Sequence, residues 1–234
     1  MDKLPIVLVL AGGKGSRLRK LVSDRPKVLA DINGKPYIKY LMEWLHKQGA
    51  LQVHLSLGHQ AEQVIEWLQQ AKLSGLDISW HVETQSRGTG GAIVDAINDL
   101  EKRGNLTELL VCNGDTFVDF DLSEFVQKSK CCGGMLTTKV PNASRFGAVS
   151  KSGDLLSSFK EKQVLEMAGE INAGWYFLEK THLESLKNRD IFSFEREYLM
   201  DPLRPPIKCV NEGHNFLDFG TPESYLQAQY IFKE

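Results

Sequence analysis

The sequence predicts an α/β protein: a three-layer sandwich on a mostly parallel, mixed sheet with antiparallel strands added late in the chain. Three observations predict it. Apolar runs recur along the first half, each followed by a stretch with helical 3–4 spacing. Two of those runs, "PIVLVL" and "ELLVC", are continuous rather than alternating, the pattern of strands buried on both faces. Beyond about residue 120 the runs shorten and crowd together, which favours antiparallel pairing.

Taken in order, "PIVLVL" runs into Gly12-Gly13 as a first buried strand. It is too short for a membrane span or for a signal segment with its cleavage site. "GKPYIKYLMEWLHKQG" is helical: Pro36 suits the first turn, Ile38, Leu41, Met42 and Leu45 make one face, and Gly49 stops it. The strand "LQVHLSLG", the helix "AEQVIEWLQQAK", the strand "DISWHVE" and the helix "GGAIVDAINDL" follow. "ELLVCNGD" is again a buried strand, ending at Gly114-Asp115. This alternation gives a Rossmann-like layering. "GGMLTTKV", "RFGAVS", "LLSSFKEK" and "INAGWYF" are the shorter strands of the second half. "TPESYLQAQYIF" closes the chain as a helix with Thr221 as N-cap and Pro222 at the first position. No repeat, low-complexity tract or linker interrupts residues 1–234, so a single domain is expected.

Composition narrows the partners. The chain has 234 residues, 42% hydrophobic and 25% charged, with a net charge of -2. Bulk charge gives no reason to expect nucleic acid or an anionic membrane. Cys112, Cys131, Cys132 and Cys209 match neither a zinc spacing nor a disulfide framework, so reduced thiols in a cytoplasmic protein are expected. The six histidines show no paired metal spacing and read as structural or surface residues.

The stretch "VLAGGKGSRLRKLVSDRPKV" carries the chemistry. It leaves a strand, crosses Gly12, Gly13 and Gly15, and then sets out Lys14, Arg17, Arg19, Lys20, Arg25 and Lys27. It fails the Walker A pattern, because no glycine lies five places before Gly13. It fails the dinucleotide fingerprint, because Leu18 stands where a third glycine is needed. What remains is a nucleotide clamp. Glycines let the backbone approach a nucleotide, turn N–H groups form an anion-binding concavity, and Arg17 and Lys27 neutralise phosphate charge.

"LAGGKGSRLRKLVSDRPKVL" resembles the signature loop of the sugar-1-phosphate nucleotidyltransferases, G-G-x-G-[ST]-R-L followed after a gap by P-K-P-L. Val28 departs from it, standing where a second proline is common. The likeness continues along the chain. It implies nucleotide contacts at Leu10, Ala11, Gly12, Gly13 and Gly15. In "VETQSRGTGGAI" it implies a base contact at Glu83 and a closing turn at Gly88 and Thr89, with Arg87 in place of the usual apolar residue. A carboxylate only accepts, so Glu83 suits the adjacent N1–H and 2-amino donors of guanine; uracil and thymine, with one N–H between carbonyls, suit an amide.

"LLVCNGDTFVDFDL" resembles the strand that leads to a metal-binding aspartate, and "NFLDFGTPESY" resembles the second metal motif. The resemblance thus implies Mg²⁺ held by Asp115 and Asp218, with Arg17, Lys27 and Asp115 as the catalytic set. Asp119 and Asp121 read as turn and cap residues. "RFGAV", "FKEKQ" and "INAGWYF" resemble sugar-side segments, so Asn113, Gly147, Glu161, Lys162, Asn172 and Gly174 are the sugar-phosphate candidates; Gln163 replaces a usual proline. "FSFEREYL" resembles a segment that is structural or near the sugar.

The activity implied is transfer of GMP from GTP, or a nucleotidyl group from another NTP, to a sugar 1-phosphate. D-glycero-α-D-manno-heptose 1-phosphate is the first acceptor, mannose 1-phosphate the alternative, and a uridylyltransferase the third reading. The nucleotide half would span about 1–120 and the sugar-phosphate half about 121–234. A stand-alone enzyme is expected, with room for a homo-oligomer. An inactive regulatory homologue would lack Arg17, Lys27 or an aspartate, and all are present. A glycosyltransferase would carry D-x-D where Asp115-Thr116-Phe117 stands.

Overall fold

Alternate residues of the first strand face opposite layers, and this sets the architecture. Val7 and Val9 join one core; Leu8 joins the other. The computed structural model describes residues 3–13, 15, 18, 22, 24–161 and 167–232. Among them the elements run β1 (Ile6–Ala11), β2 (Asp31–Ile32), β3 (Lys35–Pro36), α1 (Tyr37–Lys47), β4 (Gln52–Leu57), α2 (Ala61–Gln70), β5 (Asp77–Val82), α3 (Gly88–Arg103), β6 (Glu108–Asn113), β7 (Thr116–Asp119) and α4 (Leu122–Ser129). Then come β8 (Gly134–Val140), β9 (Gly147–Ser152), β10 (Leu155–Glu161), β11 (Gly169–Glu179), α5 (Lys180–Leu186), a π-helical turn at Phe194–Tyr198, β12 (Lys208–Asn211), β13 (His214–Asp218) and α6 (Pro222–Ile231).

Nine strands of the described residues form one sheet in the order β5-β4-β1-β6-β11-β8-β12-β10-β9. β5, β4, β1 and β6 are parallel. β11 runs antiparallel to both β6 and β8, and β9 and β10 are antiparallel to each other. The expected mixed sheet is therefore present. β12 differs from the antiparallel expectation for the second half, lying parallel to β8. Helices α1, α2 and α4 pack on one face, α3 and α5 on the other.

Chain order reverses between β1 and β6, since β4 and β5 lie on one side of β1 and β6 on the other. Ligands in such sheets bind beyond the carboxyl ends of the strands at that switch point. Here those ends are drawn tightly together. Gly114 N–H donates to Leu10 O at 2.9 Å, and a Cβ on Gly114 would meet that oxygen at 2.6 Å.

Two local expectations shift. Pro36 is the N-cap of α1 rather than a first-turn residue. It is held there by a β2–β3 hairpin pairing Asp31 with Pro36, whose two-residue loop, Asn33-Gly34, has φ of 51° and 81°. Asn-Gly with both φ positive is the type I′ turn that matches strand twist. Asn33 docks this hairpin on α6 through Gln229, donating from Nδ2 to its carbonyl at 2.9 Å. Helix α3 begins at Gly88, two residues before the predicted start, because glycines at 88 and 90 leave space for Phe192 against its first turn. The remaining caps are as expected: Thr221 and Ser224 form a capping box with Pro222 at N1, and Asp121 caps α4 by accepting from Glu124 N–H at 2.8 Å.

One stripe of the sheet is polar although covered. His54 and Ser56 on β4 are fully buried beneath α3. His54 stacks on His81 of β5 with ring centroids 5.2 Å apart and bonds to it at 2.9 Å. Burial, then the neighbouring His81, pulls the His54 pKa down to about 4 from an ordinary 6.5; burial also lowers that of His81. The unfolded chain therefore takes up protons that the folded chain refuses. The stability present near neutrality falls as pH drops through 6.5 toward 4, by on the order of 3 kcal/mol for His54 once below its folded value. Thermal melts of wild type and His54→Gln across that window test this: wild type loses Tm more steeply than the variant.

Candidate active site

The first wall of the site is backbone. After β1 the chain passes Gly12 against Gly58, where a Cβ on Gly58 would lie 2.8 Å from Gly12 O. Glu83 follows β5, held by its N–H donating to Leu57 O at 2.7 Å. Its carboxylate accepts from Ser56 Oγ at 3.0 Å and lies so near Gly12 that a Cβ there would be 2.4 Å from Oε1. Burial raises the Glu83 pKa, opposed by the Ser56 hydrogen bond. Leu10, Ala11, Gly12, Gly13, Gly15, Glu83, Gly88 and Thr89, the expected nucleotide contacts, all line one cleft, together with Lys27, Asn113 and Asp115. Arg87 turns away to an ion pair with Asp95 and a hydrogen bond to Asp190 at 3.0 Å. Arg17 lies outside the described residues.

The cleft leads to a charged centre. Pro26 starts a 3-10 turn, Lys27–Leu29, in which Val28 is buried core. Lys27 Nζ lies 2.7 Å from Asp115 Oδ2 and 3.9 Å from Asp218 Oδ1. Asp115 stands just past β6. Asp218 ends β13, which pairs antiparallel with β7 so that Asp218 sits opposite Thr116. Phe219 N–H then donates to Asp115 O at 3.0 Å. Asp218 Oδ1 accepts from Gly220 N–H at 2.7 Å, a position where only glycine leaves the carboxylate room. Tyr37 OH donates to Thr116 O at 2.6 Å and anchors the ribbon from below.

Two carboxylates converging on one ammonium are a suitable donor set for Mg²⁺, which takes one or two protein carboxylates and fills its other positions with phosphate and water. Among the described residues no group of three or more metal-ligating side chains is present, so substrate oxygens would have to complete the shell.

Beyond Asp115 a second cleft opens, lined by Asn113, Gly147, Asn172 and Gly174, the predicted sugar side, and by Asp218. The pairing of β11 with β8 shifts register between Asn172 and Tyr176. Gly174 sits in that bulge at φ +77°, where a Cβ would meet Asn113 Nδ2 at 2.8 Å. Asn172 Oδ1 accepts from Gly174 N–H at 2.9 Å, and its Nδ2 donates to Tyr176 OH at 2.6 Å. Glu161 is the last residue of β10; its side chain and Lys162 lie outside the described residues.

Sequence reasoning missed Glu195. The π-helical turn delivers it to both clefts, where Oε2 accepts from Thr89 Oγ1 at 2.8 Å. The signal was Ser193, whose side chain caps the turn by accepting from Arg196 N–H at 3.1 Å. Arg145 and Arg196 also line the second cleft, two cations that the motifs did not single out.

Comparison with known proteins gives the family. A family model, nucleotidyl transferase, matches residues 6–234. A D-glycero-alpha-D-manno-heptose 1-phosphate guanylyltransferase of Campylobacter jejuni is 35% identical over 222 residues, 93% of this chain and 96% of that protein. One from Aneurinibacillus thermoaerophilus is 32% identical, covering 95% and 96%. HddC from Yersinia pseudotuberculosis superposes with a TM-score of 0.87 at 32% identity over 98% of this chain and 100% of that one, and HddC complexed with GMP-PN at 0.86. The match runs from the first strand through the final helix and bears out the kinship that the loop and the two aspartate motifs imply: the chain belongs to the nucleotidyl transferase family.

Proposed function

We propose that the protein transfers the guanylyl group of GTP to D-glycero-α-D-manno-heptose 1-phosphate, giving GDP-heptose and pyrophosphate. The observation that carries this is the placement of Glu83. Its carboxylate closes one end of a cleft whose other end is the Lys27, Asp115 and Asp218 centre. A base read by Glu83 has its phosphates directed at that centre, and the second cleft presents the acceptor on the far side of Asp115. The names of the two heptose-phosphate relatives and the guanine nucleotide on HddC support the choice of substrates.

The chemistry needs little from the protein beyond alignment. A phosphate oxygen of the sugar 1-phosphate attacks the α-phosphorus in line; the new O–P bond forms as the bond to pyrophosphate breaks. The nucleophile is already an anion, so no general base is required. Lys27 stabilises charge on the nucleotide phosphates, and Arg17 that on the leaving pyrophosphate. Asn172 and Glu195 orient sugar hydroxyls, and Arg145, Arg196 and Lys162 draw the acceptor phosphate into the second cleft. Asp115 and Asp218 would hold Mg²⁺, which supplies neutralisation of charge shared by the reacting phosphates. Among the described residues no helix is long and apolar enough to cross a membrane, and the four cysteines are free. A cytoplasmic setting is part of the proposal.

Three measurements test it. Pyrophosphate release is fastest with GTP and the heptose 1-phosphate, slower with mannose 1-phosphate and at least about tenfold slower with UTP; activity with UTP and none with GTP overturns the role of Glu83. Asp115→Asn and Asp218→Asn each lower kcat/KM roughly 100-fold or more, and chelation of divalent cations abolishes turnover of the wild type. Gly12→Ala, whose methyl would enter the Glu83 carboxylate, raises the KM for GTP at least about tenfold and leaves that for the sugar phosphate near its starting value.

A further inference from the structure

Glu83 is the last member of a continuous polar line that crosses β4 and β5. His54 Nδ1 lies 2.8 Å from Ser79 Oγ, and His54 Nε2 lies 2.9 Å from His81 Nδ1. His81 Nε2 lies 3.2 Å from Ser56 Oγ, which lies 3.0 Å from Glu83 Oε1. Strand register builds the line. His54 pairs opposite Ser79 and Ser56 opposite His81, and with a period of two these residues share the sheet face under α3.

Counting protons gives the line one direction. An ionised Glu83 only accepts, and a serine hydroxyl has a single proton to give. Ser56 therefore donates to Glu83 and must accept from His81 Nε2–H. A neutral His81 then offers a bare Nδ1, which accepts from His54 Nε2–H. His54 in turn offers a bare Nδ1 to the hydroxyl of Ser79. Both rings are neutral and carry their proton on Nε2, in keeping with the burial that lowers both pKa values. The charged groups around the pair are largely occupied with each other. Arg87 pairs with Asp95, and Arg103 with Asp99 at 2.7 Å, while Asp99 stays 3.9 Å from His54.

We infer that His81, fixed in its tautomer by His54, acts through Ser56 as a positioning residue that sets the rotation of the Glu83 carboxylate for guanine. The inference rests on the reading of Glu83 as the base contact. Its physical content is specific. Accepting from N1–H and the 2-amino group together requires the carboxylate plane to match the base edge; accepting from N1–H alone does not. Ser56 pins one oxygen and so fixes that plane. Losing the pin costs more with GTP than with ITP, which has N1–H and no 2-amino group.

The test is kcat/KM with GTP and with ITP for wild type, Ser56→Ala, His81→Phe, His81→Gln and Glu83→Gln. Ser56→Ala and His81→Phe narrow the GTP-to-ITP ratio about fivefold or more with an unchanged KM for the sugar phosphate. His81→Gln, whose Nε2 still donates toward Ser56, restores the ratio. If Glu83→Gln collapses the ratio and the Ser56 and His81 variants leave it intact, the inference falls while the role of Glu83 stands. If Glu83→Gln also leaves it intact, the reading of Glu83 itself falls. Should the variants fail to fold, nitrogen NMR of the wild-type histidines decides at neutral pH. Nε2–H on both rings is expected, and Nδ1–H on either overturns the line.

Discussion

A lysine that is nine-tenths covered must have a counter-charge within reach, and this requirement organises the molecule. The Lys27 side chain is 10% exposed and is answered by Asp115 and Asp218. An unpaired ammonium so placed would cost several kcal/mol, so these three residues cannot drift apart in the folded state. They come from a 3-10 turn after β1, from the end of β6 and from the end of β13, far apart in sequence. Holding them together requires β6 beside β1 and the β7–β13 ribbon folded across the same end of the sheet, which is the observed topology. The same pairing balances charge before substrate arrives.

At the base end the controlling factor is crowding rather than charge. Gly12, Gly58 and Glu83 meet so closely that a single methyl group on either glycine would displace its neighbour. The Glu83 carboxylate is thereby set against backbone, which moves little, on one side and against Ser56 on the other. A side chain held between a rigid wall and a buried hydrogen-bond line loses little freedom on meeting any ligand, so more of the interaction energy is kept.

The parallel half of the fold was legible because β1 and β6 are buried apolar runs that lead into glycine, and because each strand is followed by a stretch with helical spacing. The predicted nucleotide contacts were legible through the likeness of their motifs, and Gly12, Gly13 and Glu83 lie immediately beyond the ends of β1 and β5. The final helix was legible because Thr221, Pro222 and Ser224 are a local cap. Pro36 was misplaced because the Asn33-Gly34 turn outweighed its preference for a first helical turn. Glu195 was missed because a π-helical turn has no sequence period and because its partners Thr89 and Tyr176 are distant in the chain. The pairing of His54 with His81 had no sequence mark, since only the register of β4 on β5 brings the two rings together.

The bulge at Gly174 divides one long strand into two territories. On one side β11 is registered against β6, whose end carries Asn113 to both clefts; on the other it continues along β8 and toward β9, which borders the second cleft. A kink of this kind uncouples tolerances. A residue gained or lost among the acceptor loops is absorbed at the bulge and does not propagate into the parallel strands. The architecture is thus lopsided in what it permits: length can vary on the β8–β9 side of the bulge more readily than among the parallel strands on the other.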